Sequence, residues 1–123
     1  MGWHRFEEIG AWQRADELRL AVQQVCERVS WQRDARLLDQ VTDAARSGPR
    51  NIAEGFARWK HRDFARFVRI AKASEVELLN HFKEAFRSCH ISKTEQDKLE
   101  HAARKAIKAA NGLIRWLETH PDP

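Results

Sequence analysis

The chain has 123 residues with 22 Lys and Arg against 18 Asp and Glu, a net charge of +4. That length suits one domain with a single apolar core, and that charge permits an anionic partner without demanding one. Cys26 and Cys89 match no zinc or C-x-x-C spacing, no apolar run could span a bilayer, and Glu7 and Glu8 stand where a signal peptide would be apolar. The expectation is a cytoplasmic protein with free thiols and no membrane contact.

Apolar spacings of three and four recur along the chain and alternating runs are absent, which predicts an all-α protein. The first helix spans about 9 to 29 on a stripe of Ala11, Ala15, Leu18, Val22, Val25 and Val29, and Ser30 to Asp34 form a polar break. The second runs from Asp34 to Trp59, with Leu37, Leu38, Val41, Ala44, Ala45, Gly48, Ile52, Gly55, Phe56 and Trp59 on its apolar face. Pro49 sits inside it, without the N–H that would bond the Ala45 carbonyl, at a cost of about 3 kcal/mol in an ordinary helix. Because the apolar phase continues through Pro49, one kinked helix is predicted rather than two.

A turn is placed at His61 to Asp63. The third helix then presents Phe64, Phe67, Val68, Ala71, Phe82 and Phe86, with Ser74 and Leu78 on either side of Glu75, and ends near Ser88. Ser92-Lys93-Thr94-Glu95 has the S-x-x-E pattern of a capping box and starts the fourth helix, after which Pro121 and Pro123 close the chain. Four helices with short links predict an up-down-up-down antiparallel four-helix bundle in a single domain, 1 to 123. The fourth helix has a wide apolar face flanked by Trp116, so it is either deeply buried or packed on another subunit.

The chain contains no Glu-x-x-His pair, G-x-S-x-G, Gly-rich phosphate loop or H-E-x-x-H, so no catalytic residue, metal, cofactor or small-molecule substrate is expected. Glu77, His81 and Glu84 share one helix face, a placement that surface charge explains. His90 follows Cys89, but neighbours in a helix point apart. Charge is more informative: residues 46 to 72 hold eight basic side chains against two acidic ones, a net +6 that exceeds the charge of the whole chain. Arg62, Arg66 and Arg69 follow i, i+4, i+7 spacing opposite the apolar face. With Arg58, Lys60 and Lys72 they are the candidate nucleic-acid contacts, the alternative being a solvated face with local ion pairs. Ser47, Asn51, Glu54 and Arg58 form a polar line beside the core. Asn51 is placed to satisfy carbonyls loosened by Pro49, Glu54 to pair with Arg58, and the line to serve as a contact surface otherwise.

Ser47-Gly48-Pro49-Arg50-Asn51-Ile52-Ala53-Glu54-Gly55 resembles the S-x-P-x-N-I-A-E-G signature of the 23S rRNA intervening sequence proteins. Phe6 to Trp12 is similar to that family's F-x-x-L-x-x-W opening, with Ile9 in the leucine position. Phe64 to Leu78 resembles its F-x-x-F-L-x-I-A-x-G-S-x-x-E-L pattern, with Ala73 in place of glycine, and Gly48 stands where an aliphatic residue is common. The resemblance implies a cytosolic bacterial four-helix bundle assembled as a ring-like homo-oligomer, a pentamer, some of whose genes lie within 23S rRNA genes. It further implies kinship with accessory proteins of diversity-generating retroelements, which associate with a reverse transcriptase and RNA. The combined expectation is a non-enzymatic oligomer whose basic surface contacts RNA or a ribonucleoprotein. Ser47, Pro49, Asn51, Glu54, Gly55 and Trp116 are candidate motif or interface residues, and a protein-binding scaffold is the alternative.

Overall fold

Four helices, Gly10–Cys26 (α1), Ala35–Phe56 (α2), His61–Arg87 (α3) and Lys93–Thr119 (α4), make up a computed structural model that describes residues 2–123. Short 3-10 turns at Phe6–Glu8 and Val29–Asp34 precede α1 and α2, and no strand occurs among the described residues. Both α1 and α3 pack on α2 and on α4, so the helices close around one core. None of them is long and apolar enough to cross a membrane.

The core divides into two apolar clusters. One gathers Leu18, Val22, Trp31, Val41, Leu78, Phe82 and Leu99, and the other Ile9, Ala15, Ile52, Phe64, Val68, Ala110 and Leu117. Small residues recur where α4 enters both clusters, at Ala103, Ala106 and Ala110, all fully buried. Alanine there removes steric bulk while retaining the best helix propensity. The capping box forms as the sequence predicts: the Ser92 hydroxyl accepts from the Glu95 N–H at 3.1 Å and the Glu95 carboxylate accepts from the Ser92 N–H at 2.8 Å.

Several boundaries differ from the sequence reading. Helix α1 stops at Cys26, which leaves Val29 outside it and exposed. The supposed polar break carries Trp31, which is buried, stacks on His90 at 4.5 Å and donates its indole N–H to the Val25 carbonyl at 2.9 Å. Helix α2 ends at Phe56 because the Ala57 and Arg58 N–H groups turn back to Glu54 and Gly55, three residues behind each. Trp59 therefore lies in the link, 66% exposed, rather than on the core stripe. Helix α3 begins at His61 instead of after Asp63, since the Phe64 N–H already reaches the Lys60 carbonyl, and Phe86 near its end is exposed.

The C-terminus of α3 turns on Cys89, whose φ of 63° lies in the left-handed region. The His90 N–H bonds the Ala85 carbonyl and the Cys89 N–H bonds the Phe86 carbonyl, a Schellman arrangement that normally carries glycine. A side chain there costs roughly 1 to 2 kcal/mol. Cys89→Gly is expected to raise stability by about 1 kcal/mol, measured as the urea midpoint, because the exposed thiol contributes no packing to offset that strain.

Candidate nucleic-acid interface

Helix α2, the link Ala57 to Lys60 and the first turns of α3 bring the signature segment and the basic residues together. The signature's polar line splits into two parts. Ser47 is buried and accepts from the Ser74 hydroxyl at 2.7 Å, which ties α2 to α3, while the Asn51 amide donates to the Ser47 hydroxyl at 3.0 Å and carbonyl at 2.9 Å. Asn51 thus serves the Ser47 carbonyl rather than that of Ala45, the one deprived of a donor by Pro49. Glu54 and Arg58, one and two turns further along, form an exposed ion pair at 2.9 Å.

Gly55 is the contact point of the two helices. A Cβ there would lie 2.7 Å from Phe64 Cδ1 and 3.0 Å from Phe67 Cβ, so only hydrogen fits against these side chains. Gly48 is less tightly enclosed: a Cβ would meet the Glu75 carboxyl at 3.2 Å and the Ala15 methyl at 3.3 Å. Glu75 is fully buried and both its oxygens lack a hydrogen-bond partner among the described residues. Burial pushes its carboxyl from 4.5 up to about 8. The sequence reading passed over it, although Glu75 is four residues after Ala71 and three before Leu78, squarely on the apolar line.

The basic residues do not form one free ridge. Arg69 pairs with Glu118 of α4, Lys60 with Asp122 at 3.8 Å, and Arg58 with Glu54. Arg62, Arg66 and Lys72 have no acidic partner among the described residues; Arg62 and Arg66 are exposed and Lys72 is half-buried. The guanidiniums of Arg58 and Arg66 both lie over the Phe67 ring, at 4.8 and 4.6 Å from its centroid. Such cation–π contacts hold two long side chains in place; Arg58 is also paired with Glu54, so of the two only Arg66 presents an uncompensated charge to solvent.

Trp116 is half-buried among rings of its own chain: it stacks on His120 at 4.1 Å and meets His61 at 5.3 Å and Trp3 at 5.9 Å. The C-terminal residues are in turn pinned to α3. Asp122 accepts from the His61 N–H at 2.7 Å, capping that helix, and the His61 ring donates from Nδ1 to the His120 carbonyl at 3.0 Å. His61 and Asp122 were not singled out by sequence, where 61 residues separate them and no periodicity connects them.

No three His, Cys, Asp or Glu side chains come together as a metal site among the described residues. His90 spends its ring on Trp31 and on Asp34 at 3.0 Å, and burial pushes the Cys26 thiol up to about 11, far from a reactive thiolate. The fold and this surface define an all-helical bundle with a fixed cationic flank around its α2–α3 junction. The family model described as 23S rRNA-intervening sequence protein matches residues 7–112, and the chain belongs to that family. No curated protein matches it.

Proposed function

We propose that the chain is a non-enzymatic, cytoplasmic protein that contacts RNA or a ribonucleoprotein through the flank carrying Arg62, Arg66 and Lys72. The observation that carries this reading is a segment of net charge +6 in which five cations, Arg46, Arg50, Arg62, Arg66 and Lys72, have no acidic partner among the described residues, the last three on this flank. Cations already paired must exchange one anion for another, whereas these three can neutralise phosphates directly and release counterions. The proposal includes an up-down-up-down antiparallel bundle with a bend at Pro49. Gly48 packs by Glu75 and Gly55 by Phe64, so as α2 advances its contacts on α3 recede, which supports antiparallel neighbours. It also includes self-association into a ring, a pentamer, on the strength of the family resemblance.

RNA binding measured against salt provides the test. Changing Arg62, Arg66 and Lys72 together to Glu is expected to lower affinity at least tenfold and to reduce the slope of log K against log salt by about 2 to 3, while Arg69→Glu has the smaller effect. Equal binding by wild type and the triple variant would refute the assignment. Light scattering at the monomer mass of 14.4 kDa would remove the ring. A partner retained after nuclease treatment would favour a protein-binding scaffold, for which the exposed Leu20, Val29, Trp59, Ile70, Val76 and Phe86 are apolar contacts among the described residues.

A further inference from the structure

The cationic flank ends beside a cavity that its charge does not explain. Its walls are aromatic: Trp3, Phe56, Trp59, Phe64, Trp116 and His61, with Arg58 at the margin, enclose about 400 Å³. That falls within the range of about 300 to 1,000 Å³ typical of small-ligand clefts. The C-terminal prolines Pro121 and Pro123 form one side, and an adjoining cavity that shares His61 and Pro121 carries Arg62 and Arg69 together with Glu118 and Asp122.

One feature of this cavity, Trp59, lacks a structural use. Trp59 holds its indole two-thirds in water on a four-residue link, although burying such a ring is worth more than for almost any other side chain. His61 is only 6% exposed, yet its Nε2 has no hydrogen-bond partner among the described residues. A carbonyl can only accept, so the bond from Nδ1 to the His120 carbonyl places the proton on Nδ1. Nε2 itself is out of reach of solvent, so the ring gives the cavity a wall and no polar contact.

From this geometry we infer that the cavity receives an unpaired nucleobase of single-stranded RNA, stacked on Trp59. The inference rests on the RNA-binding reading and adds to it the part of the RNA that is held. A flat ligand suits the aromatic walls, and the phosphates on either side of the base meet Arg58 and Arg62. A base paired in a duplex offers neither its face nor its Watson–Crick edge, so the site selects single strands.

The test compares an eight-nucleotide adenosine oligomer, the same oligomer with abasic sites, a duplex and free adenosine, each titrated into the full chain with tryptophan fluorescence as readout. Wild type is expected to prefer the single strand over the duplex about tenfold and to show quenching by adenosine even at high salt. Trp59→Ala, an exposed change that leaves the core intact, is expected to weaken the single strand by roughly 5- to 100-fold without altering the salt slope, and Trp59→Phe to recover part of that loss. Abasic oligomers should bind wild type as weakly as intact oligomers bind Trp59→Ala. If Trp59→Ala binds like wild type while the Arg62, Arg66 and Lys72 reversal loses affinity, the base site is overturned and the cationic flank stands. If the reversal is harmless but Trp59→Ala and adenosine quenching behave as expected, the base site stands and the flank does not. Absence of binding by both oligomer and adenosine overturns both.

Discussion

Glu75→Gln is expected to abolish most of the dependence of stability on pH between about 5 and 8, and to make the protein more stable than wild type above pH 8. In the folded chain the Glu75 carboxyl is out of water, has no donor to its oxygens among the described residues, and holds its proton up to about 8, against 4.5 for an ordinary glutamate. Between those values the folded state binds more protons than the unfolded one, so stability falls as pH rises. The contribution is complete below about 4.5 and lost by the time pH passes about 8. The slope within the window approaches 1.4 kcal/mol per pH unit, a steep dependence for a domain whose total stability is of order 10 kcal/mol. Glutamine keeps the shape and cannot ionise. Urea midpoints of wild type and variant at unit steps from pH 5 to 9 check this, since all other titrating groups cancel in the difference. Parallel curves would show that Glu75 ionises at no cost and that water or a rearranged neighbour reaches it.

The second large effect concerns the last residue of the signature. Gly55→Ala is expected to destabilise the protein by about 1 to 2 kcal/mol and lower Tm by several degrees, although alanine is the better helix former by about 1 kcal/mol. The added Cβ would lie 2.7 Å from the buried Phe64 ring and 3.0 Å from Phe67 Cβ. Phe64 is wedged edge-on against Phe56 at 6.4 Å, and Phe67 carries two guanidiniums at 4.8 and 4.6 Å from its ring centroid, so neither can move without loss elsewhere. Overpacking of this kind costs about 1 to 3 kcal/mol and outweighs the gain in propensity. Gly112 in α4 supplies the control, because a Cβ there meets nothing within 4 Å. Gly112→Ala should therefore stabilise by about 0.5 to 1 kcal/mol, and opposite signs for the two changes in thermal melts separate packing from backbone propensity. Equal signs would show that the α2–α3 contact at Gly55 is looser than these distances imply.

The periodicity of the apolar residues determined the helical class, and the S-x-x-E box at Ser92 determined the start of α4, because both depend on residues three and four apart that interact within one helix. The signature from Ser47 to Gly55 carried the family for a related reason: its Gly55 and its Ser47 meet α3 through atoms that few other residues could supply. Tertiary structure decided where Trp59, Glu75, Trp116 and His61 lie. Trp59 continues the apolar phase of α2, but the chain leaves the helix at Phe56, and phase has no meaning once the helix has ended. Glu75 lies on the apolar line, and packing shows that it is enclosed: it is fully buried with its carboxyl beside Gly48 of α2. Of the paired members of the basic segment only Arg58 was legible in the sequence, through Glu54 four residues before it; Glu118 and Asp122, which bind Arg69 and Lys60, arrive from the far end of the chain. Spacing reports which residues share a face; which face meets which, and so which charges stay free and which aromatic rings border a cavity, is set by packing between segments some fifty to sixty residues apart.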